Sequence, residues 1–453
     1  MASGVDVVDV PKTEDIELSI RAGAPEDKSS KPVVSSAVGF EKNMFLASQT
    51  EEQKRKARMQ MMCLYWSFFL LGWNDGSTGP LLPRIQSVYH VNFTIVSLLF
   101  VSLCVGCIAG AVINVMLTDK VGFGKVSRDH VLMSGIGSLT QIVAYSLQAA
   151  AVPFPVFVIA NFINGVGSAV QDAQANGFVA ALDDNSKMGY LHAVYGAGAL
   201  VAPLVSTQFS QLKHWSFHYL ISLGISLSNV AFLAYTFRLK KQNDCLAEIG
   251  LDSGEENASE TRTYRQIFAQ KTVHVLAFFI LVYVGVEVTL GGWIVSFMID
   301  ERGGGPSAGY ISSGFFGGLM VGRVVLLWFN RKMGEQRALL VYAVLAIGLE
   351  LVVWLVPSLI GGAVAVSLVG VLLGPTYPLA VNHAARVLPR WLLTSSIGWI
   401  GGFGQAGSAV FPFITGLLAS KRGIQTLQPL IVAMLASMLV LWLMVPKAVH
   451  RTD

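Results

Sequence analysis

Charged residues are scarce in this sequence. Asp, Glu, Lys and Arg make up 13% of the 453 residues, whereas 53% of the residues are hydrophobic. Soluble domains carry about 25% charged residues, so the composition excludes an ordinary soluble protein and predicts an integral membrane protein. The formal net charge of +4 is small, and its charges are dispersed along the chain. We therefore expect no nucleic-acid partner.

Cysteines are few, and catalytic motifs are lacking. Cys104-x-x-Cys107 has the spacing of a metal-binding pair, but no histidine or second cysteine pair accompanies it. We interpret both as small packing residues on a helix; the other two cysteines are Cys63 and Cys245. The sequence contains no Walker loop, no His-Glu-x-x-His motif and no nucleophile elbow, so ATP-driven pumping and enzymatic activity are not expected. We expect no cofactor and no metal.

Apolar stretches of about twenty residues recur along the chain, and each could cross a bilayer core of about 30 Å. The sequence therefore predicts an all-α membrane protein with twelve transmembrane helices. Because twelve is even, both termini lie on one side. The predicted spans are Met59–Leu82, Ile95–Leu117, Val131–Ala151, Val156–Ala180, Gly189–Gln208, His218–Phe237, Val273–Ile299, Ser307–Phe329, Ala338–Val356, Ile360–Val381, Ser395–Leu418 and Leu430–Val445.

Basic residues indicate which side the termini occupy. They cluster before the first span, after the second, eighth and tenth spans, and between the sixth and seventh. The loops on the other side hold only five, namely Arg84, Lys213, Arg302, Lys421 and Arg422. By the positive-inside rule, both termini are predicted to be cytoplasmic. The glycosylation sequon at Asn92 then faces outward, close to the membrane.

Polar stretches divide the chain. The first 58 residues are polar and mixed in charge, so we expect no signal peptide and a disordered cytoplasmic tail over 1–58. The longest internal polar stretch separates six spans from six and is typical of a flexible linker. We predict an N-terminal half over 59–237, a cytoplasmic linker over 238–272, a C-terminal half over 273–446 and a cytoplasmic tail over 447–453.

The two halves repeat one another. A shift of 212 residues places Gly106 and Gly110 of the second span on Gly318 and Gly322 of the eighth. Small residues four apart allow helices in a membrane to approach closely. The same shift aligns the loops that follow, Lys120-x-Gly122-x-x-Lys125 and Lys332-x-Gly334-x-x-Arg337. Two parallel six-helix repeats predict a transporter with its site near the midplane between them.

The stretch TDKVGFGKV, Thr118 to Val126, resembles the loop signature of the major facilitator superfamily. The glycine that usually opens this signature is absent. The resemblance covers all twelve spans and implies an alternating-access fold. It also implies that certain residues near the cytoplasmic side steady one conformation, namely Asp119, Lys120, Gly122, Lys125, Arg323, Lys332, Gly334 and Arg337. For Arg323, a structural ion pair and a gating role both remain open.

Carboxylates lie within predicted spans, where charges are costly and usually face a pathway or a partner. Asp75 falls on Glu287 under the repeat shift, so each half carries an acid at the same depth of its first helix. Asp172 is in the fourth span. We predict that these three acids handle protons. Glu350, in the ninth span, could instead snorkel or bond to a neighbouring helix.

The first span contains the polar stretch Asn74 to Pro80. Pro80 lacks an N–H, so we expect a broken helix here, which membranes tolerate where it lines protein or water-filled space. Polar and aromatic side chains at similar depth extend the predicted substrate cavity. Its members are Asn74, Ser77, Gln171, Asn176, His192, Tyr195, Trp293, Tyr377 and Gln405. His192 could equally be a core residue bonded to a main-chain carbonyl.

GWND (Gly72 to Asp75) and DAQANGF (Asp172 to Phe178) look like segments of the fucose:proton symporter branch of this superfamily. That resemblance implies that Asp75 and Asp172, with Asn74 and Asn176, handle substrate and proton. The fourth-helix acid is Asp here, whereas that branch commonly has Glu. Two further segments, Tyr283 to Trp293 and Leu191 to Pro203, look like fungal transporters of unassigned substrate.

The sequence thus predicts a secondary transporter, proton-coupled, of a small polar, sugar-like solute. An exporter of drug-like or secondary metabolites driven by proton exchange, and a nutrient sensor without flux, are the alternatives. The expected partners are membrane lipid, a small-molecule substrate and protons, and the protein is expected to be a monomer. The plasma membrane is the expected location, with the vacuolar membrane or another endomembrane as the alternative.

Overall fold

The computed structural model describes residues 50–120, 130–182, 185–238, 245, 248–249, 269–388 and 390–446. Residues Met1–Lys54 form a separate unit, of which only the last five residues are described; the second unit is Arg55–Asp453. The described part of the chain is almost entirely helical and contains no strand. The predicted all-α architecture is confirmed for these residues.

Twelve long helices follow one another in the part of the chain that the structure describes. They are α1 (Glu51–Tyr89), α2 (Leu98–Lys120), α3 (His130–Ala149), α4 (Phe154–Ala181), α5 (Asn185–Ser210), α6 (His218–Phe237), α7 (Lys271–Arg302), α8 (Tyr310–Val325), α9 (Glu335–Leu355), α10 (Leu359–Leu373), α11 (Arg390–Arg422) and α12 (Leu427–Met444). Short helices precede α2 (Phe93–Val96) and follow α8 (Leu327–Met333) and α10 (Thr376–Val387). Each long helix coincides with one predicted span.

By length and composition, nine helices within the described residues could cross a membrane. A tenth span forms if α8 and the helix after it, which bend by 53°, count as one. The two remaining helices are α1 and α3. α1 has 39 residues, but the polar stretch at Asn74 lowers its hydropathy. Because the helices alternate in direction, α1 begins and α12 ends on the same side, called here the terminal side; the other is the opposite side.

The N-terminal end of α1 is fixed by a capping box. The main-chain N–H of Thr50 donates to Gln53 Oε1 at 2.9 Å, and the N–H of Gln53 donates to Thr50 Oγ1 at 3.3 Å. Such reciprocal bonds satisfy two of the N–H groups that a helix start leaves free. The helix therefore begins at Glu51, eight residues before the predicted span at Met59.

The expected break in the first span is wrong. α1 continues through Asn74 to Pro80 as one helix. A Cβ at Gly72 or Gly76 would collide with the main chain of α5, at Tyr195 and Ala199 respectively. These glycines therefore allow two helices to pack closely, and the packing holds the helix together despite the missing N–H of Pro80.

The glycine repeat has the same structural role in both halves. Gly106 and Gly110 place α2 against the main chain of α4, and Gly318 and Gly322 place α8 against the main chain of α10. A side chain at any of the four would collide with a carbonyl of the neighbouring helix. The predicted pseudo-symmetry is thus a repeat of helix packing, with six helices in each half. Between the halves, α5 packs against α8 and α2 against α11.

Candidate functional site

Asp75 lies in the middle of α1 and faces the space between the two halves. The Tyr195 hydroxyl of α5 donates to Asp75 Oδ2 at 2.6 Å, and the amide of Asn74 donates to Oδ1 at 3.3 Å. α5 packs closely against α1 at this level, but the side chain of Asp75 is exposed. An exposed carboxylate within a helical bundle indicates an internal cavity that water can enter.

The C-terminal half presents a matching cluster. Glu287 on α7 interacts electrostatically with Asp75, and also with Arg323 on α8. Tyr283, one turn before Glu287, lies beside both Glu287 and Arg323. The Nε–H of Arg323 donates to the carbonyl of Gly374 at 3.3 Å. The two acids that the repeat aligns in sequence therefore face one another across the cavity, and Arg323 lies beside Glu287.

Asp172 lies closer to the terminal side of the cavity. Its Oδ1 accepts a hydrogen bond from the Asn176 amide one turn later, at 3.0 Å, and its side chain is exposed. It interacts electrostatically with Asp75 and with Tyr377 of the C-terminal half. The structure thus brings Asp75, Asp172 and Glu287 into one electrostatic neighbourhood, with two of the three on the N-terminal half.

A chain of buried amides supports Asn74 from behind. Asn164 donates to Asn74 Oδ1 at 2.6 Å, and Gln141 donates to Asn164 Oδ1 at 3.3 Å. Gln171 donates to Gln141 Oε1 at 2.5 Å, and Asn229 donates to Gln171 Oε1 at 3.1 Å. The chain continues to Ser67, whose hydroxyl donates to Asn229 Oδ1 at 2.9 Å. These bonds connect α1, α3, α4 and α6 inside the N-terminal half.

Sequence reasoning missed three members of this chain, namely Gln141, Asn164 and Asn229. All three are 0% exposed. Each lies in an apolar run, where a side-chain amide without a partner is costly. This cost could have been used to predict that the three side chains are hydrogen-bonded to one another or to other polar groups. Gln171, which we predicted to line the cavity, is buried within this chain in the present conformation.

We expect Asn164→Leu to destabilise the N-terminal half. The substitution leaves Asn74 Oδ1 without its donor and removes one of the two bonds of the Gln141 amide nitrogen, whose other acceptor is Ser168 Oγ at 3.0 Å. An orphaned buried polar group costs about 1–3 kcal/mol. Thermal unfolding of the purified protein in detergent measures the effect. Asn161→Leu, one turn earlier, is the matched control because, within the described residues, Asn161 donates only to the Phe157 carbonyl of its own helix. Equal unfolding temperatures for the two variants would contradict the role of the amide chain.

Among the other predicted cavity residues, Asn176, Tyr195 and Tyr377 are half-buried, and the remaining four fall into two groups. His192 and Gln405 are exposed, whereas Ser77 and Trp293 are buried. Ser77 donates to the Trp73 carbonyl at 2.6 Å and lies 2.9 Å from His218 Nε2. Trp293 donates to the Pro412 carbonyl at 3.0 Å. In this conformation the cavity is therefore lined by the first group, together with Asp75 and Asp172.

The predicted signature residues are only partly described. Asp119 and Lys120 end α2, while Gly122 and Lys125 lie outside the described residues. In the second half, Lys332 lies over the Trp328 ring at 5.2 Å, and Arg337 is in the first turn of α9. Gly334 joins the two helices with φ +80°, a left-handed conformation that favours glycine.

The halves are in contact at the opposite side. Thr94 donates to Ser420 Oγ through its main-chain N–H at 2.7 Å and through its hydroxyl at 2.8 Å. Phe100 packs against Trp293 with ring centroids 5.9 Å apart, and Gln208 bonds to Tyr310. By contrast, Asp172 and His192 are exposed toward the terminal side. The cavity is therefore closed at the opposite side and open at the terminal side.

Comparison with known proteins follows the same lines. The sequence profile described as Major Facilitator Superfamily matches residues 64–390. Bypass of stop codon protein 6 of Saccharomyces cerevisiae is 26% identical over 417 residues, which cover 86% of this chain and 83% of that protein. A glucose/mannose transporter of Bacillus subtilis is 21% identical over 365 residues, which cover 78% of this chain and 86% of that protein.

Among solved structures, the E. coli fucose:proton symporter superposes with a TM-score of 0.60 at 16% identity, covering 86% of this chain and 98% of that one. At this identity, the likeness concerns the fold alone.

Proposed function

Because the chain belongs to the major facilitator superfamily, we propose that it is a proton-coupled secondary transporter of a small polar, sugar-like solute. The predicted family and twelve-helix fold are confirmed, and the protein is a membrane transporter and not an enzyme. The observation that carries the finer proposal is Asp75. This carboxylate is bonded to Tyr195, exposed to the cavity and opposed by Glu287 of the other half, which in turn interacts with Arg323.

The charges of this cluster link proton binding to closure. Asp75, Glu287 and Arg323 together carry one net negative charge when both acids are ionised. Closing the cavity removes water and would leave that charge poorly compensated, at a cost of several kcal/mol. One proton makes these three groups neutral, and a second proton neutralises Asp172, which interacts with Asp75. We infer that proton binding therefore favours the closed conformations through which the cavity changes sides.

We propose different roles for the two halves. We assign proton handling to Asp75 and Asp172, which lie on the N-terminal half, and substrate contacts largely to Glu287, Tyr377 and Gln405 on the other half. A hydroxylated solute suits these groups because it can donate to carboxylates and accept from amides and arginine. The glucose/mannose transporter relative supports a sugar-like substrate.

A flux experiment tests the proposal. Purified protein in lipid vesicles with an imposed pH gradient is supplied with labelled hexoses, pentoses and, separately, unrelated metabolites. We expect at least one sugar to accumulate, and accumulation to disappear when a protonophore collapses the gradient. Drug-like compounds moving against the proton gradient would instead identify an exporter. No flux, together with sugar binding, would favour a sensor.

We propose that the terminal side is cytoplasmic, which makes the present conformation inward-open. A cysteine replacing Lys213, exposed in the loop before α6, is expected to react with a membrane-impermeant maleimide on intact cells. Arg331→Cys, exposed on the terminal side, is the matched control and should react only after permeabilisation. The reverse pattern would invert the orientation, and reaction of both on intact cells would contradict the twelve-span topology.

A further inference from the structure

Glu350 on α9 is a buried acid that the proposed transport cycle does not use. Its side chain is 0% exposed, and neither carboxylate oxygen has a hydrogen-bond partner among the described residues. On α12, Gln428 is also 0% exposed, and both its amide nitrogen and its oxygen lack partners there. Buried polar groups are nearly always hydrogen-bonded, so two such side chains require an explanation.

The packing of α9 against α12 places these two side chains at the same level. The helices run in opposite directions, and their register is fixed near the terminal side. Trp442 Nε1–H donates to the Gln336 carbonyl at 3.0 Å, and the Gln336 amide donates to the Val445 carbonyl at 3.4 Å. Glu350 follows Gln336 by 14 residues, and Gln428 precedes Trp442 by 14 residues. At 1.5 Å per residue, both steps cover about 21 Å.

The same spacing also fixes the faces. Fourteen residues are close to four helical turns at 3.6 residues per turn, so Glu350 lies on the face of α9 that carries Gln336. Gln428 likewise lies on the face of α12 that carries Trp442. Both belong to continuous buried stripes, which are Leu339, Ala343, Ala346, Glu350 and Val353 on α9 and Gln428, Ile431, Leu435, Met438 and Trp442 on α12.

The surroundings disfavour an ionised Glu350. α10 and α12, which pack against α9, contain no titratable side chain. At the end of α9 on the terminal side, His383 Nδ1 lies 4.0 Å from Glu335 Oε2, and Arg386 Nη2 lies 3.1 Å from Glu335 Oε1. The remaining charged groups near α9 lie at its two ends, namely Arg331, Lys332 and Arg337 on the terminal side and Asp300, Glu301 and Arg302 on the opposite side.

Arg302 is the cation that contacts α9 close to Glu350, but its hydrogen bonds go to main-chain carbonyls of that helix and not to the carboxylate. Its Nη2 donates to the carbonyls of Val353 and Trp354 at 2.8 Å each, and its guanidinium lies 4.9 Å from the centre of the Phe297 ring. No ion pair joins it to Glu350 within the described residues. An ionised carboxylate buried without a partner costs several kcal/mol, so the neutral form is favoured here.

We propose that Glu350 and Gln428 form a second proton-binding site, in which the protonated carboxyl group of Glu350 pairs with the carboxamide of Gln428. The acid O–H donates to the amide oxygen, and the amide N–H donates to the acid carbonyl. The proton comes from water, and no covalent bond other than that O–H forms or breaks. In the present structure the two groups are not hydrogen-bonded to one another, so the pair forms by rotation of their side chains. Once formed, it satisfies both groups, as the donor and acceptor inventory of the two side chains allows. It joins α9 to α12 and does not depend on the transport proposal.

Infrared difference spectroscopy of the purified protein tests the proton directly. At neutral pH, the wild-type-minus-E350Q spectrum is expected to contain the C=O stretch of a protonated carboxyl group. Glu335→Gln on the same helix is the matched control, because Glu335 is paired with Arg386, and its difference spectrum should show an ionised carboxylate. Absence of the protonated band in the E350Q difference would overturn the proposal.

Thermal unfolding in detergent tests the pair. We expect the wild type to lose stability as the pH rises, because loss of the proton leaves an unpartnered ion. E350Q should keep its unfolding temperature at high pH, since two amides can form the same reciprocal pair. E350L and Q428L should each unfold several degrees lower, and the double variant should lose less than the sum of the two.

Additive losses would show that the two side chains do not meet, which overturns the pair. Stabilisation of the wild type, but not of E350Q, by sodium chloride relative to choline chloride would show an ionised cation site and would also overturn the proposal. Should E350L fail to fold, the E350Q spectrum and its pH profile still decide the outcome.

Discussion

Asp75→Asn is expected to abolish uphill, pH-driven accumulation of substrate while leaving downhill exchange. Asparagine keeps the shape, and its oxygen still accepts the Tyr195 hydroxyl, but it can neither bind nor release a proton. A gradient of about one pH unit is worth roughly 1.4 kcal/mol per proton and supports about tenfold accumulation. The variant should reach a concentration ratio of about one, measured with labelled substrate in vesicles.

Three further variants make this result specific. Asp300 is exposed at the end of α7 on the opposite side. Asp300→Asn is therefore the matched control, and this variant should accumulate substrate normally. Asp172→Asn should lose accumulation as well if both acids carry the proton. Glu287→Gln should mainly weaken substrate binding, because that acid lies on the other half. Normal pH-driven accumulation by both N-terminal variants would show that Asp75 and Asp172 are structural.

Much of the fold could be predicted because hydrophobicity and repetition are local signals. The twelve spans follow from apolar runs of bilayer length, and the glycines at 106, 110, 318 and 322 were recognisable as packing residues from their spacing. The start of α1 could also have been predicted, since Thr50 and Gln53 have the spacing of a capping box. We missed it because the hydropathy rises only later.

The internal arrangement of the polar residues could not be predicted in the same way. Asn74 and Gln171 both looked like cavity residues, but Gln171 lies inside the amide chain. Which face of a helix meets another helix depends on tertiary packing, and all the helices here are apolar on several faces. The continuity of α1 could not be predicted for the same reason. It depends on the close approach of α5 at Gly72 and Gly76, which the sequence of α1 alone does not reveal.

The contact that closes the opposite side depends on another glycine. Gly416 on α11 lies against the short helix before α2, where a Cβ would come within 2.6 Å of Ser97 Cβ and 2.7 Å of the Phe93 carbonyl oxygen. The neighbouring hydroxyl of Thr94 bonds to Ser420 one turn later on α11. A larger residue at 416 would therefore separate the two halves at this level, but it would not disturb the packing within either half.

Gly416→Val is accordingly expected to shift the protein toward the conformation open at the opposite side and to stop net transport. Steric overlap of this kind costs about 1–3 kcal/mol, which changes a conformational equilibrium roughly 5- to 150-fold. In a background without native cysteines, Phe100→Cys reports on the closed contact, because Phe100 is only 6% exposed. Its labelling from the opposite side should rise with Gly416→Val, whereas labelling of His192→Cys from the terminal side should fall. Gly398→Val on the same helix is the matched control, since a Cβ there meets no atom within 4 Å. If Gly416→Val left both labelling rates unchanged, this contact would not separate the two conformations, and the closure would have to depend on α5 and α8 instead.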